Sequence, residues 1–201
     1  MQYSTAISDF ILATSTIYAS YLAFQRRDTE GYFGSMGLLT FVLAAIFGIV
    51  RFGIEPSIMP VHQFFSNFAA YVGVPIIGVS FISIKIYRIN KFNYLYIAIA
   101  LLILFNLFTY FIKFPVYATL IGGLANVGIL IVGIRSISSE KIYALCAIGG
   151  SALTIIAGLF IGTDGAWFAL LRIDLFHYVL SIANILLGIS FKNLSGKQSI
   201  V

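Results

Sequence analysis

Residues 142–161 read IYALCAIGGSALTIIAGLFI, twenty positions without a charged side chain. A helix of about 20 residues, rising 1.5 Å per residue, covers the roughly 30 Å of a bilayer's hydrocarbon core. Working outward from this run finds six more apolar runs of 18 to 21 residues with at most one charged side chain each, at 6–24, 36–54, 64–84, 94–112, 116–134 and 174–191. The whole chain agrees: 60% of its 201 residues are hydrophobic and 9% charged, against roughly 45–50% and about 25% in soluble domains. The expected fold is therefore an all-α, polytopic membrane protein. One domain over residues 1–201 forms a seven-transmembrane-helix bundle, in a plasma membrane or a bacterial inner membrane.

The connections between the runs are short and leave no room for an extramembrane domain. Met1, Gln2, Tyr3 and Ser4 carry no basic side chain, so the first run reads as a span and not as a cleavable signal. Cys146 is the single cysteine, which excludes intrachain disulfide chemistry and thiol relays that need a pair. Pro75, Gly149 and Gly150 fall inside runs and read as packing or kink positions that neighbouring helices accommodate.

Charge gives an orientation. Arg26, Arg27, Lys85, Arg88, Lys91, Arg135, Lys141, Lys192 and Lys197 fall on alternate connections, and only Arg51, Lys113 and Arg172 fall on the others. Because cytoplasmic loops collect Lys and Arg, the C-terminus is expected in the cytoplasm and the N-terminus outside. The net charge of +5 is spread over several helix ends. It is explained by topology and anionic lipid, with no nucleic-acid partner implied.

The unusual polar groups gather on the expected outer side: Asp9, Arg51, Glu55, His62, Lys113, Asp164, Arg172, Asp174 and His177, which include both histidines. Ionisable groups at membrane depth are costly and usually face the bundle interior, which makes them candidates for function. On the last run Asp174, His177, Ser181 and Asn184 share one helical face, and His62 and Ser66 lie one turn apart on the third. Asn106 and Asn126 extend a polar interior. Each has a plainer reading as well: Arg51 and Glu55 are spaced to pair at a helix end, Lys113 to reach the interface, and the serines and asparagines to join helices.

Several chemistries can use this set. Zinc takes imidazole and carboxylate ligands and lowers the pKa of a bound water to about 7. His62, Asp174 and His177 are the candidate metal ligands, with Asp9, Glu55 and Ser66 as catalytic groups. Arg51, Lys113, Arg172, Ser181 and Asn184 are the candidate substrate-binding groups. The stretches His62-Gln63-Phe64-Phe65-Ser66 and Asp174-Leu175-Phe176-His177 resemble the layout of the CREST superfamily, which includes alkaline ceramidases and progestin and adiponectin receptors. The resemblance implies seven helices, an intramembrane zinc held by histidines and hydrolysis of lipid amides, with membrane lipid as partner and a lipid or small molecule as substrate. The sequence departs from that pattern at two places, with Ser181 where the family's last helix has a second histidine and Gly73 where its early helix has an aspartate.

The alternative is a transporter or ligand-sensing protein with an outward-opening polar cavity. A b-type haem between His62 and His177 is a lesser reading, since only two histidines are present. Retinal is not expected, because the last run has no mid-span lysine. The expected pocket is built on the first, second, third and seventh runs.

Overall fold

The computed structural model describes residues 1–114 and 116–196, so Lys197 lies outside the described residues. It contains seven helices long and apolar enough to cross a membrane: α1 (Tyr3–Phe24), α2 (Thr29–Gly53), α3 (Pro56–Lys85), α4 (Lys91–Phe111), α5 (Val116–Ser136), α6 (Lys141–Ile161) and α7 (Arg172–Asn193). The expected runs lie on these helices, and the largest differences are at the starts of α3 and α2, which begin eight and seven residues earlier than hydropathy predicts. The Asp28 carboxylate accepts the Gly31 N–H at 2.8 Å and so caps the first turn, which lets the polar residues Thr29 and Glu30 join the helix.

Six of the helices close into a ring in the order α1, α2, α3, α5, α6, α7 and back to α1, while α4 packs outside it against α3. A glycine stands at every joint: Gly48 between α1 and α2, Gly37 between α2 and α3, Gly78 between α3 and α5, Gly133 between α5 and α6, Gly150 between α6 and α7, and Gly188 between α7 and α1. A Cβ on Gly78 would lie 2.7 Å from the Ala125 Cβ, and one on Gly188 would lie 2.7 Å from the Ala19 Cα. In hydrocarbon there is no water to expel between helices, so association rests on packing, and missing side chains let backbones approach.

The two ends of the ring differ. At the end where Asn193 finishes α7, Leu38, Ile77, Phe81, Val132, Ala147 and Phe191 belong to one buried cluster to which all six ring helices contribute. Polar links clasp this end: Lys85 pairs with Glu140, Glu140 Oε2 accepts the Ser195 N–H at 2.7 Å, and Arg26 donates to the Phe191 carbonyl at 3.1 Å and to the Leu194 carbonyl. At the other end a short antiparallel ribbon, β1 (Ala166–Trp167) on β2 (Leu170–Leu171), joins α6 to α7. These are called the clasp end and the ribbon end below.

Helix geometry also departs from regularity toward the ribbon end. α3 opens with a 3-10 turn at Pro56–Ile58 and widens into π-helix at Ala69–Gly73, and α4 and α6 end in π turns at Leu107–Phe111 and Ile156–Ile161. In α3 the reason is local. Pro75 has no N–H to give and its ring crowds the Tyr71 carbonyl, so the preceding turn widens. Such π turns recur at functional sites.

The ring predicts the cost of a side chain at a joint. Gly188→Val would push α7 away from the Ala19 backbone, a loss on the order of 1–3 kcal/mol for overpacking. Detergent-solubilised Gly188→Val protein should melt below the wild type, whereas Gly123→Ala, with nothing within 4 Å of its Cβ, should melt close to it. Equal melting of all three would mean the joints are not tight.

Candidate functional site

Thr5, Ser8, Asp9, Thr16 and Ser20 of α1 are all buried. Helical spacing brings them to one face, and that face meets α7. α7 answers with Asp174, His177, Ser181 and Asn184, also buried. Toward the centre Asn184 donates to Thr16 Oγ1 at 2.8 Å, and Ser181 donates to the His177 carbonyl at 2.7 Å, so these two residues join and brace helices. Toward the ribbon end the remaining groups converge.

Ser8 Oγ lies 3.0 Å from the Thr5 carbonyl, 3.2 Å from Asp174 Oδ1 and 2.9 Å from His177 Nδ1. A hydroxyl has one proton, and the carbonyl and the carboxylate can only accept it. Ser8 must therefore accept from His177, which places the ring proton on Nδ1. Asp9 Oδ1, 3.5 Å from the same nitrogen, favours that placement. The neutral ring then keeps its lone pair on Nε2, which has no hydrogen-bond partner among the described residues. Since Ser8 and Asp9 face one ring nitrogen, they are not the nucleophile and acid of a serine triad, which sit on opposite nitrogens.

The second histidine has the opposite tautomer. Arg51 Nη1 lies 2.9 Å from His62 Nδ1, and a guanidinium has donors only, so Nδ1 accepts and the proton sits on Nε2. Nε2 then donates to Ser66 Oγ at 3.3 Å, one helical turn along α3. Ser66 keeps its own proton, and behind it stands a chain that ends in the arginine charge. The i to i+4 pairing of Arg51 with Glu55 does not form. α2 ends at Gly53, so Glu55 leaves the helix and instead accepts the Ser57 N–H at 3.1 Å, capping the 3-10 turn. The Ser57 side chain and, after it, the Ser57 backbone N–H hold the exposed Glu55 carboxyl below its usual range.

His177, Asp9, His62 and Ser66 line one cavity of about 350 Å³ inside the ribbon half of the ring, within the size range of ligand pockets. Its other walls are mainly apolar, with Leu12, Phe41, Val74, Leu159, Phe176 and Leu180, and they include Gly122, Gly123 and Gly158. α5 and α6 thus contribute alongside the four helices expected from sequence. Gly48 makes room for the acid: a Cβ there would lie 2.3 Å from Asp9 Oδ2, an oxygen that is buried without a partner.

The remaining candidates, Asn126 excepted, lie elsewhere. Glu55 is exposed beyond the cavity lining, and Lys113 is exposed at the end of α4, outside the ring. Arg172 sits 5.6 Å over the Trp167 ring and donates to the Phe160 carbonyl at 3.1 Å, which ties the ribbon to α6. Asn126 lines the cavity and accepts from Ser151 at 3.1 Å, while Asn106 donates to the Leu102 carbonyl of its own helix. Ser8 was not singled out by sequence reading, although the recurrence of small hydroxyls on one face of α1 points to it.

A zinc ion does not fit this donor set. His62 has given its lone pair to Arg51 and faces a cation, and Asp174 Oδ1 holds Ser8. Among the described residues no three His, Cys, Asp or Glu side chains gather as a metal-holding group. No protein-family model, curated protein or solved structure matches the chain.

The two histidines allow a direct check. In ¹⁵N-histidine-labelled protein, NMR should find one neutral ring protonated at Nδ1 and lost in His177→Ala, and one protonated at Nε2 and lost in His62→Ala. Two rings of the same tautomer would overturn the network.

Proposed function

We propose that the protein is an intramembrane hydrolase that cleaves an ester or amide bond in a lipid-like molecule without a metal ion. The observation that carries this reading is the pairing, on one mainly apolar cavity, of the free lone pair of His177 with the free hydroxyl proton of Ser66. The apolar walls would take an acyl chain. Water bound at His177 would lose a proton to Nε2 as its oxygen adds to the carbonyl carbon. The carbonyl oxygen, now an oxyanion, would accept the Ser66 O–H, strengthened by His62 and Arg51 behind it. The bond to the leaving oxygen or nitrogen then breaks, and Nε2 returns its proton to that atom, so that one water is consumed and an acid and an alcohol or amine are released. Asp9 and Ser8 would act by holding Nδ1–H, fixing the ring for both transfers. The closed core at the clasp end, which leaves the cavity blind, favours turnover over passage of a ligand through the ring.

The test is incubation of purified protein with a panel of ester and amide lipids and product analysis by mass spectrometry. Turnover should persist in chelator, fall by about 10²-fold or more in His177→Ala, and fall less in Ser66→Ala. Full activity in His177→Ala, or its loss to chelation, would overturn the reading. A lipid that stays bound without being cleaved would replace hydrolysis by ligand sensing or carriage.

The same proposal sets the ribbon end outside the cytoplasm, following the nine basic residues on the clasp-end connections and tail against three on the others. In a Cys146→Ala background, a cysteine at Ser57 should react with an impermeant maleimide on intact cells, and one at Ser138 only after permeabilisation. The reverse pattern would invert the protein.

A further inference from the structure

We propose that the cavity draws its substrate sideways out of the bilayer, as the acyl chain of a membrane-resident lipid that enters through a mouth between α5 and α6. This gives the hydrolase reading its substrate class and rests on that reading for the lipid's fate. The seam between these two helices is tight over its clasp half. A Cβ on Gly133 would lie 2.6 Å from Ile148 Cγ1, and Ser151 Oγ donates to the Asn126 carbonyl at 2.8 Å. Continuing that antiparallel register by whole turns sets Gly122 and Gly123 opposite Thr154 and Ile155, and Thr119 opposite Gly158. Contact fails there. Among the described residues a Cβ on Gly123 or on Gly158 would meet nothing within 4 Å, and one on Gly122 would meet only Val74 of α3, at 3.8 Å.

The two helices lean to opposite neighbours. The π turn of α6, Ile156–Ile161, packs against α7, whereas α5 packs against the π turn of α3, Ala69–Gly73. Thr119, Gly158 and Leu159 line the cavity and are also exposed, which makes them its rim. Gly123 lies seven residues inside the start of α5, about 10 Å along the helix, so the mouth faces acyl chains and not headgroups. What stands behind the mouth is polar and unsatisfied: the His177 ring is 6% exposed, and its Nε2 has no hydrogen-bond partner among the described residues. A lipid approaching from water would have to bring every methylene of its chain out of hydrocarbon first, each at a cost. A side mouth keeps the chain in an apolar medium throughout.

The experiment is photolabelling of the full chain, reconstituted in phosphatidylcholine vesicles that hold a fatty acid with a diazirine at its chain end, the kind of acid that cleavage of an acyl lipid would release. Adducts are mapped by mass spectrometry. Leu12 and Leu180 line the cavity and are each 4% exposed, so a label there reports entry, whereas the exposed Leu124 and Leu145 report lipid contact alone. Both pairs should be labelled in the wild type. Gly158→Phe and Gly123→Leu, one on each side of the mouth, should lose the Leu12 and Leu180 adducts and keep the other two. Should one variant fail to fold, the other decides. Absence of cavity adducts in wild-type protein, or their survival in a folded variant, overturns the side entry. Entry without cleavage of any lipid in the panel would leave the mouth standing and remove the hydrolase; cleavage without cavity adducts would do the reverse.

Discussion

Close approach of helix backbones is the constraint from which the rest follows. Two helices carrying ordinary side chains keep their axes about 8–10 Å apart, and inside a bilayer no hydrophobic effect holds them there. This chain removes the Cβ at each of the six joints of its ring. The ring can then close tightly enough for Phe81 and Phe191 to meet at its centre, ring centroids 4.1 Å apart, and seal one end. The other end cannot seal in the same way. Buried polar groups take up the α1–α7 seam there, and α3 is widened near Pro75, so the ring stays open as a cup.

The same glycines also admit charge. Asp9 is tolerable at its depth because Gly48 leaves space for its carboxylate and because His177 Nδ1 lies 3.5 Å from its Oδ1. Burying such a group without partners would cost several kcal/mol. Packing and chemistry are thus one arrangement: the α1–α2 joint that closes the ring also fixes the acid that orients His177. The two histidines, alike in sequence, are made different by their neighbours. Arg51 can only donate and so turns His62 into a donor toward Ser66, whereas Ser8 and Asp9 accept and so turn His177 into an acceptor toward the cavity.

The helix α4 marks what a ring of six leaves over. It lies outside and contributes nothing to the cavity lining. Its buried contacts with α3, through Leu101 and Phe105 against Tyr71, Val72 and Ile76, form a separate apolar cluster. Tyr94 is its one fully buried polar side chain, held at the clasp end beside Glu30. Lys113 at its far end accordingly stands away from the cavity.

The sequence by itself determined the seven helices, because a run of about 20 apolar residues has one stable form in hydrocarbon. It also showed that His62, Ser66, Asp9 and His177 carry unusual polarity near one end, because helical periodicity and depth along a span are readable from spacing alone. Only the tertiary structure decided which helices touch, and therefore that Glu55, Lys113 and Arg172 stand apart from the cavity while Ser8, unremarked in the sequence, holds the His177 ring from behind the cavity wall. Glu30 is the sharpest case: at the start of α2 it reads as an ordinary charged residue in a connection, and it becomes a buried carboxylate only because Asp28 caps the helix early and Ser83 of α3 lies opposite. Depth and spacing are properties of one helix, whereas the partner of a polar group belongs to two.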